Sequence, residues 1–509
     1  MSTFRERPPS AAWGMWKRFV LAGVVIVLAT AGTLSSAVLL EVDRAVDIFR
    51  ASGASIPGLD EVLDDVEPGA PQTVLLLGSD RRYADRVAGI PGRSDTMILA
   101  RLDPDRQVTS LLAIPRDLKV RLPAPGEGGD EEGMITDRIN ASYAIGGPRL
   151  AVETVKKVFG IEINHFVNVN FGGFRRAVDR LDCVYVDVDR RYFNDNSPPV
   201  DSPTPYATID IQPGYQKLCG QDSLDYVRYR HGDTDIMRGA RQQDWLGEAK
   251  DQVGVRDVFR DREDLLGIFG TYVQTNIRST SAVLRLLKLI YESSREPLSE
   301  VRFRGELGQT FVTAGDQDIA AMRDEFLNGR QTQGAKGRAR SGRGRPRPDG
   351  EPRRRAPAGP ADDGLEQAVG LGQEQAAGAA VKVRFPVLFS GVRLRGSQYV
   401  DAPRTYDLHG PDRRRHRAYR MVLETEDGGE FYGVQGTSWT DPPILDAPSQ
   451  TRWVDGRELL LFRDGSRLAR VAVRTDEAVY WVSNTLLRSL TNPQMLAIAR
   501  SLTPIGSRG

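Results

Sequence analysis

Three apolar runs, each ending beside charged residues, place the strongest constraint on the fold. The runs are Val74 to Leu77, Met97 to Leu102 and Val108 to Ile114. Their β-branched and apolar residues are bounded by Gly, Pro and Asp, a pattern that predicts buried strands. Because buried strands do not tolerate unpaired charges, the neighbouring charged residues must lie at strand ends or beside a cleft, where ligands of α/β sheets usually bind. These charged residues are Asp80, Arg82, Arg93, Asp95, Arg116 and Asp117.

The mixture of arginine and aspartate at these strand ends indicates the chemistry of the cleft. Guanidinium groups bind phosphate oxygens bidentately, and carboxylates are ligands that magnesium prefers. The pattern therefore suits a polyphosphate held together with a divalent cation. Structural ion pairs are the alternative, which loses weight because three such pairs occur at three strand ends. The net charge of +1 lacks the overall basic signal of a nucleic-acid-binding protein.

Residues 19 to 40 contain no charged side chain. The run is long enough for a membrane-spanning helix of about 20 residues and longer than the core of a signal peptide, about 7 to 15 residues. A cleaved signal peptide and a buried helix remain alternatives. Four basic residues and one acidic residue precede the run, so the positive-inside rule puts the amino terminus in the cytoplasm and everything after Glu41 outside.

The rest of the chain divides by composition. Predicted strands and helices interleave after residue 72, which indicates an α/β domain. Residues 329–380 are rich in Gly, Pro, Ala and Arg without aromatic residues, which is typical of a disordered basic linker. The predicted segments are a cytoplasmic tail (1–18), a transmembrane helix (19–40), a stalk (41–71), the α/β domain with a helical extension (72–328), the linker (329–380) and a small accessory α+β domain (381–509).

The chain has two cysteines, Cys183 and Cys219, without the CxxC spacing of a zinc site. An extracytoplasmic location would put them in an oxidising compartment, so we expect a disulfide. The bond would close a loop of about 36 residues and stabilise the fold by a few kcal/mol. Two buried free thiols are the alternative.

A second basic segment follows the cysteines and contains Arg228, Arg230, Arg238 and Gln242. In a helix, Arg238 and Gln242 share one face because they are four residues apart. The segment could form a second wall of the anion cleft, or it could be a solvated face. Taken alone, its spacing favours the solvated face.

About residues 72 to 253 resemble the LytR-CpsA-Psr (LCP) family of cell-envelope proteins. The matching pieces, in the same order and spacing, are LLLGSDRR at 75–82, GRSDTMILARLDPDRQVTSLLAIPRDLKV at 92–120, RINASYAIGGPRLAVETVKKVFGI at 138–161, HFVNVNFGGFRRAVDRLDCVYVDV at 165–188 and LCGQDSLDYVRYRHGDTDIMRGARQQDW at 218–245. The resemblance implies an α/β fold with an LCP-type mixed sheet flanked by helices. It also implies a single-pass membrane anchor with the catalytic domain outside the cell.

The resemblance implies a transferase. Such a protein moves a glycosyl phosphate from a polyprenyl-pyrophosphate-linked glycan of the teichoic acid, capsule or arabinogalactan type to peptidoglycan. This is a phosphotransferase, or glycopolymer–peptidoglycan ligase, activity. Polyprenyl pyrophosphatase activity is a neighbouring reaction that the sequence does not separate from transfer.

The resemblance also implies roles for the strand-end residues. Asp80 and Asp95 would hold Mg²⁺ or Mn²⁺, and Asp117 would be the general base, with Asp80 or Asp95 as alternatives. Arg138 stands where many family members have lysine. The residues implied to bind pyrophosphate are Arg82, Arg93, Arg116, Arg138, Arg228, Arg230, Arg238 and Gln242.

Two functions of other classes compete with the transferase. One is a module that binds the lipid-linked precursor or wall glycan without turnover. The other is a transcriptional attenuator of the cell envelope, which is disfavoured because about 18 residues before the membrane are too few for a DNA-binding fold.

Overall fold

The computed structural model describes most of the chain after residue 55, with the backbone alone for Asp80, Arg93 and Arg262. The described residues are 56–67, 69–80, 93–124, 133–197, 207–254, 257, 260–277, 298–329 and 363–505. The predicted cytoplasmic tail and membrane span lie outside them. Within the described part of the chain, no helix is long and apolar enough to cross a membrane.

The strands fall into an amino-terminal and a carboxyl-terminal group. The first group is β1 (Gln72–Asp80), β2 (Arg93–Asp103), β3 (Val108–Ala113), β4 (Lys119–Pro123), β5 (Met134–Arg138), β6 (His165–Asn170), β7 (Val184–Val188), β8 (Tyr192–Asn194), β9 (Ile209–Ile211), β10 (Gly214–Leu218), β11 (Val273–Thr275), β12 (Leu298–Val301), β13 (Glu306–Leu307) and β14 (Val312–Thr313). The second is β15 (Leu365–Gln367), β16 (Leu388–Ser390), β17 (Val392–Leu394), β18 (Gln398–His409), β19 (Arg415–Glu424), β20 (Phe431–Thr437), β21 (Gln450–Val454), β22 (Arg457–Asp464), β23 (Arg467–Arg474), β24 (Val479–Ser483) and β25 (Leu502–Pro504).

The helices follow the same division. They are α1 (Ala141–Phe159), α2 (Phe171–Arg180), α3 (Gly220–Arg228), α4 (Asp235–Gln252), α5 (Arg262–Tyr272), α6 (Asp316–Asn328), α7 (Val369–Ala380) and α8 (Asn492–Arg500), with a short 3₁₀ turn at Pro443–Leu445.

A six-stranded sheet in the order β11-β6-β1-β2-β3-β12 organises the amino-terminal part. The pairs β1–β6 and β3–β12 are parallel, whereas β1–β2, β2–β3 and β6–β11 are antiparallel. The sheet is therefore mixed and flanked by helices, as predicted.

Both faces of this sheet are covered, which explains its nearly continuous apolar runs. Leu75, Leu99 and Leu112 point into the core that includes α1. Ile98 and Leu111 point the other way, into a smaller cluster beside α4. The sheet therefore separates α1 from α4.

Helix α1 is kinked at Gly146, Gly147 and Pro148. Gly147 has φ 64° and ψ −156°, a conformation that excludes most other residues, and proline disfavours the helical conformation in the residue before it. A Cβ atom on Gly146 would lie 2.5 Å from the Cβ of Leu150. The two glycines therefore allow the helix to bend closely over its own next turn.

The C-terminal unit, residues 363–505, is mostly β structure rather than the α+β domain that the sequence predicts. Its seven-stranded antiparallel sheet has the order β18-β19-β20-β24-β23-β22-β21. Helices α7 and α8 pack on one face of this sheet, where Phe389, Tyr480 and Met495 are buried. The opposite face packs against Tyr185 and Tyr215 of the amino-terminal part.

The predicted boundary between the linker and this unit, at residue 380, is wrong. The predicted linker, 329–380, overlaps β15 and α7 because small residues such as Ala376 and Ala379 pack fully into the core despite the low-complexity composition. Residues 381–392 contain alternating apolar residues but are largely irregular, and β16 is the strand that forms fully within them. Alternate burial of apolar residues imitates a strand there, and Pro386 interrupts the backbone donors that a ladder requires.

Cys183 and Cys219 form a disulfide in the structure, with sulfur atoms 1.97 Å apart. Cys183 lies directly before β7, and Cys219 is the residue that caps α3. The bond therefore links the start of α3, the helix that leads to Arg228, to the start of β7.

Candidate functional site

The candidate site is built on a tight turn that follows β3. The amide of Leu118 donates to the carbonyl of Pro115 at 3.0 Å, so Arg116 and Asp117 occupy the centre of the turn. The carbonyl of Arg116 accepts from Asn140, and that of Asp117 accepts from Val312. The turn is thus fixed by two other segments, and its two charged side chains project from the end of the sheet.

Three carboxylates surround the Arg116 side chain. Arg116 Nη1 donates to Asp95 Oδ1, which lies near the start of β2. Arg116 Nε lies 3.6 Å from Asp117 Oδ1 and 3.8 Å from Asp235 Oδ1. The Asp235 carboxylate also accepts from the Arg116 backbone amide at 2.5 Å. Arg116 is therefore held from both its backbone and its side chain.

Two further arginines approach Asp117. Arg138 Nε lies 3.3 Å from Asp117 Oδ1, and Arg230 Nη2 lies 3.5 Å from Asp117 Oδ2. Both arginine side chains are more than one-third exposed, whereas the Asp117 side chain is mostly buried. Among the described residues, Asp117 Oδ1 is buried without a hydrogen-bond donor and Arg116 Nε is buried without an acceptor. These two atoms lie 3.6 Å apart as an ion pair, without forming a hydrogen bond.

The first turns of α4 close the inner side of the site. Arg238 Nη2 lies 2.5 Å from Asp235 Oδ1, and Gln242 Nε2 donates to Thr96 Oγ1 at 3.0 Å. Arg238 is 4% exposed and Gln242 is 6% exposed. The interpretation of this segment as a solvated face, which its spacing alone favours, is therefore wrong, because tertiary contacts bury both residues.

We call these charged residues, with Gln242, the arginine cluster. They are Asp95, Arg116, Asp117, Arg138, Arg230, Asp235, Arg238 and Gln242. The four arginines outnumber the three aspartates by one, so the described charges sum to +1. An excess of cations at the end of a sheet favours binding of an anion.

Burial and neighbouring charges tune the groups at the centre. Burial raises the pKa of Asp117, as does Asp235, against the opposing effect of Arg116 and Arg138. Although burial opposes the charge of Arg116, the carboxylates of Asp95, Asp117 and Asp235 raise the pKa of its guanidinium. Asp117 therefore holds a proton more readily than an ordinary aspartate, and Arg116 stays charged.

The structure gathers only some of the predicted site residues. Arg228 ends α3, where its guanidinium carbon lies 5.3 Å from the centroid of the Phe171 ring and its Nε lies 3.9 Å from Asp225. Arg82 lies outside the described residues, as do the side chains of Asp80 and Arg93. The backbones of Asp80 and Arg93 pair with each other at the end of the β1–β2 ladder. Arg228 therefore flanks the arginine cluster two residues before Arg230.

One side chain of the predicted metal pair is described. Asp95 Oδ1 accepts from Arg116, and the backbone of Asp80 pairs with Arg93, two residues before Asp95. One or two carboxylates together with phosphate oxygens form a donor set that Mg²⁺ uses, so Asp95 fits this role. A separate group of potential ligands, Asp179 with the two cysteines, does not fit a metal because both sulfur atoms belong to the disulfide.

Asp235 is a site residue that was not predicted from the sequence. Its side chain contacts both Arg116 and Arg238, and it opens α4 after the capping residue Thr234. The available signal was an acidic residue in the first turn of a helix, three residues before an arginine. That signal indicates an ion pair but not the distant partner, Arg116.

Comparison with known families decides the assignment. The model of the LytR_cpsA_psr family matches residues 49–323, which include the whole arginine cluster. The chain belongs to the LytR-CpsA-Psr family. The resemblance stated from the sequence motifs is confirmed.

This LytR-CpsA-Psr chain is similar to a regulatory protein and to several teichoic acid transferases. Biofilm regulatory protein A of Streptococcus mutans is 26% identical over 269 residues, which are 52% of this chain and 63% of that protein. The polyisoprenyl-teichoic acid–peptidoglycan teichoic acid transferase TagU of Oceanobacillus iheyensis is 27% identical over 273 residues, 51% of this chain and 76% of that protein. TagV of Bacillus subtilis, a transferase of the same name, is 32% identical over 215 residues, 42% of this chain and 51% of that protein. The matches thus span between about half and three-quarters of these relatives.

Solved structures also resemble this chain. A structure of TagT bound to LIIa-WTA is 24% identical and covers 52% of this chain and 93% of its own, with a TM-score of 0.40. A structure of the LytR-CPS2A-psr family protein YwtF (TagT) with bound octaprenyl pyrophosphate lipid is 23% identical and covers 54% of this chain and 98% of its own, with a TM-score of 0.39.

Proposed function

We propose that this protein transfers a glycosyl phosphate from a polyprenyl-pyrophosphate-linked glycan to peptidoglycan during cell-wall assembly. The observation that carries the proposal is the turn at Arg116 and Asp117, where Arg116, Arg138 and Arg230 each lie within 3.6 Å of the Asp117 carboxylate. The names of the relatives TagU and TagV as teichoic acid transferases support the same reaction.

In this proposal the arginines neutralise the pyrophosphate. Phosphoryl transfer depends mainly on positioning and on stabilisation of charge, and arginine supplies both through bidentate contacts. Arg116 is held rigidly by three carboxylates, whereas Arg138 and Arg230 are more exposed. The residues proposed to bind pyrophosphate are Arg82, Arg93, Arg116, Arg138, Arg228, Arg230, Arg238 and Gln242.

Asp117 is the proposed general base. A hydroxyl oxygen of peptidoglycan attacks the phosphorus atom that is bonded to the sugar, the bridging P–O bond breaks, and polyprenyl phosphate leaves. The hydroxyl proton passes to Asp117. The raised pKa of Asp117 suits this role because a base works best when its pKa approaches the working pH.

Asp95 and Asp80 are the proposed ligands of Mg²⁺ or Mn²⁺. Such an ion would neutralise the negative charge that develops on the phosphate oxygens. Asp95 would keep its contact with Arg116 through Oδ1.

The proposed location is the outer face of the cell membrane. The charge-free run at residues 19–40 and its basic flank support a single span with the amino terminus in the cytoplasm. Protease added to intact spheroplasts should then degrade everything after the span. Protection of the arginine cluster would contradict this orientation.

The function is tested with the full chain, a polyprenyl-pyrophosphate-linked glycan, peptidoglycan and Mg²⁺. We expect mass spectrometry to detect glycan joined to peptidoglycan through a phosphodiester, and a chelator to abolish the product. Binding of the lipid without cleavage would favour a binding module. Release of polyprenyl phosphate with free glycosyl phosphate alone, even with peptidoglycan present, would favour a pyrophosphatase.

A further inference from the structure

Helix α4 lies between the arginine cluster and the C-terminal unit. Successive helical residues are rotated by about 100°, so the helix presents two opposite faces. The face toward the cluster carries Asp235, Arg238 and Gln242, and the face toward the C-terminal unit carries Met237, Ala240, Asp244 and Glu248. A displacement imposed on the second face therefore moves the first.

An apolar contact joins the C-terminal unit to the first turns of α4. Leu486, in the loop after β24, is 4% exposed and packs in one cluster with Met237 and Ala240. The next residue, Leu487, lines a narrow crevice together with Pro115 and Asp235. The loop thus reaches the back of the turn that carries Arg116.

A polar contact fixes the middle of α4. Arg488 Nη2 donates to Asp244 Oδ1 at 2.7 Å, and Arg302 Nη2 donates to the same carboxylate oxygen at 2.7 Å. Arg302 Nη1 also donates to the carbonyl of Ala240 at 3.0 Å. Buried charged hydrogen bonds of this kind are directional, so Asp244 holds the helix in one position against Arg488.

The C-terminal unit also braces the loop that precedes α4. The Arg190 guanidinium carbon lies 5.1 Å from the centroid of the Phe431 ring, and Arg190 Nη2 lies 3.0 Å from Asp233 Oδ1. The amide of Asp233 in turn donates to the carbonyl of Arg230 at 3.1 Å. The same unit therefore supports the loop that carries Arg230 and the helix that carries Arg238.

We propose that the C-terminal unit positions the arginine cluster for binding pyrophosphate, with Leu486 and Arg488 as the positioning residues. This inference rests on the proposed function, because it concerns the same pyrophosphate-binding residues. Close-packed interiors transmit small displacements, so loss of either contact moves the Arg238 and Gln242 side chains relative to the turn at Arg116. The C-terminal unit then acts as part of the active site without touching the substrate.

The test compares KM and kcat of the full chain for the polyprenyl-pyrophosphate-linked glycan in wild type, Leu486→Ala and Arg488→Ala. We expect KM to rise about tenfold in both variants, because misplacement of binding groups by a fraction of an ångström weakens substrate binding. Arg488→Lys, which keeps the charge, should recover part of the loss. Arg500→Ala is the matched control, since Arg500 pairs with Asp455 on the exposed surface of the same unit.

The KM readout separates positioning from simple loss of stability. A smaller folded fraction lowers the apparent kcat and leaves KM unchanged. If KM in both folded variants stays within about twofold of wild type, the inference is overturned while the transferase assignment stands. It is also overturned if neither variant folds, because the contacts would then be required for folding itself. Absence of turnover in wild type would instead contradict the proposed function.

Discussion

The arginine cluster and the interface between the two parts of the chain are both built from arginines and carboxylates, but their charge balance is opposite. We define the interface network as Asp244, Glu300, Arg302, Asp464 and Arg488. In the cluster, four arginines face three aspartates and several side chains are accessible. In the interface network, two arginines face three carboxylates and every side chain is largely buried. The first arrangement is short of anions, and the second is short of cations.

Each imbalance has its own physical consequence. Excess positive charge in the arginine cluster can be neutralised by a bound anion. Excess negative charge in the interface network must be neutralised internally, and burial raises the pKa of Glu300 well above its ordinary value, against the opposing effect of Arg302. Burial alone would raise the pKa of Asp244, but Arg488 and Arg302 lower this pKa to about 2. Charge balance therefore distinguishes the candidate binding site from the closed structural contact.

The largest expected effect is on the arginine cluster. Arg116→Ala should lower turnover by about 10⁴-fold, or about 5.5 kcal/mol of transition-state stabilisation, because it removes the cation that contacts Asp95, Asp117 and Asp235. Circular dichroism should remain that of wild type. The matched control is Arg121→Ala, an exposed position on the neighbouring strand β4. Wild-type turnover in Arg116→Ala would remove the arginine cluster from the mechanism.

The interface network should respond in stability rather than in chemistry. Arg302→Met should lower the free energy of unfolding by about 4 kcal/mol, because it leaves buried carboxylates uncompensated. Urea denaturation measures the change. Arg500→Met, which breaks an exposed pair with Asp455, should cost less than about 1 kcal/mol. Equal effects of the two substitutions would show that burial does not separate these pairs.

The disulfide should stabilise the side of the molecule that carries Arg230. Replacement of Cys183 and Cys219 together by serine should lower the free energy of unfolding by about 3 kcal/mol, since the bond closes a long loop in the unfolded chain. Thiol labelling of the unfolded, unreduced protein should find no free thiol. Two labelled thiols would reject the disulfide.

A pH effect should come from a second interface pair, Glu248 and Arg470, which are 2.9 Å apart. Burial raises the pKa of Glu248 from its ordinary value of 4.5 to about 7, although Arg470 lowers it. The folded protein therefore holds a proton that the unfolded chain releases, so the stabilisation is full below about pH 4.5 and is lost as the pH rises through about 7.

Glu248→Gln should flatten this dependence. In wild type, titration of Glu248 should lower the free energy of unfolding by at most about 1.4 kcal/mol for each pH unit. Thermal unfolding of both proteins at several pH values between 4.5 and 7 measures the difference. Parallel profiles for the two proteins would mean that folding does not raise the pKa of Glu248.

Local patterns were sufficient to predict the strand ends. The apolar run after Asp95 became most of β2, and the run before Arg116 became β3, because burial on both faces requires continuous apolar sequence. The turn residues Pro115 and Asp117 then ended the run where the site begins. These features depend on residues that are adjacent in sequence, so they could be predicted from the sequence alone.

Contacts between distant segments could not be predicted in this way. Asp235 is 119 residues from its partner Arg116, and Arg420 is 233 residues from Asp187. The periodicity of apolar residues indicates which side of a helix is apolar, but it does not indicate which segment covers the polar side. For this reason, the burial of Arg238 and the contact between α4 and the C-terminal unit emerged only from the structure.

In the proposed mechanism, the turn at Arg116 and Asp117 performs the transfer. The most direct test is single-turnover transfer to peptidoglycan by Asp117→Asn, an isosteric change that removes the base. We expect this variant to bind the polyprenyl-pyrophosphate-linked glycan as wild type does and to transfer it at least about 10²-fold more slowly. Transfer at the wild-type rate by a folded Asp117→Asn protein would show that Asp117 is not the general base.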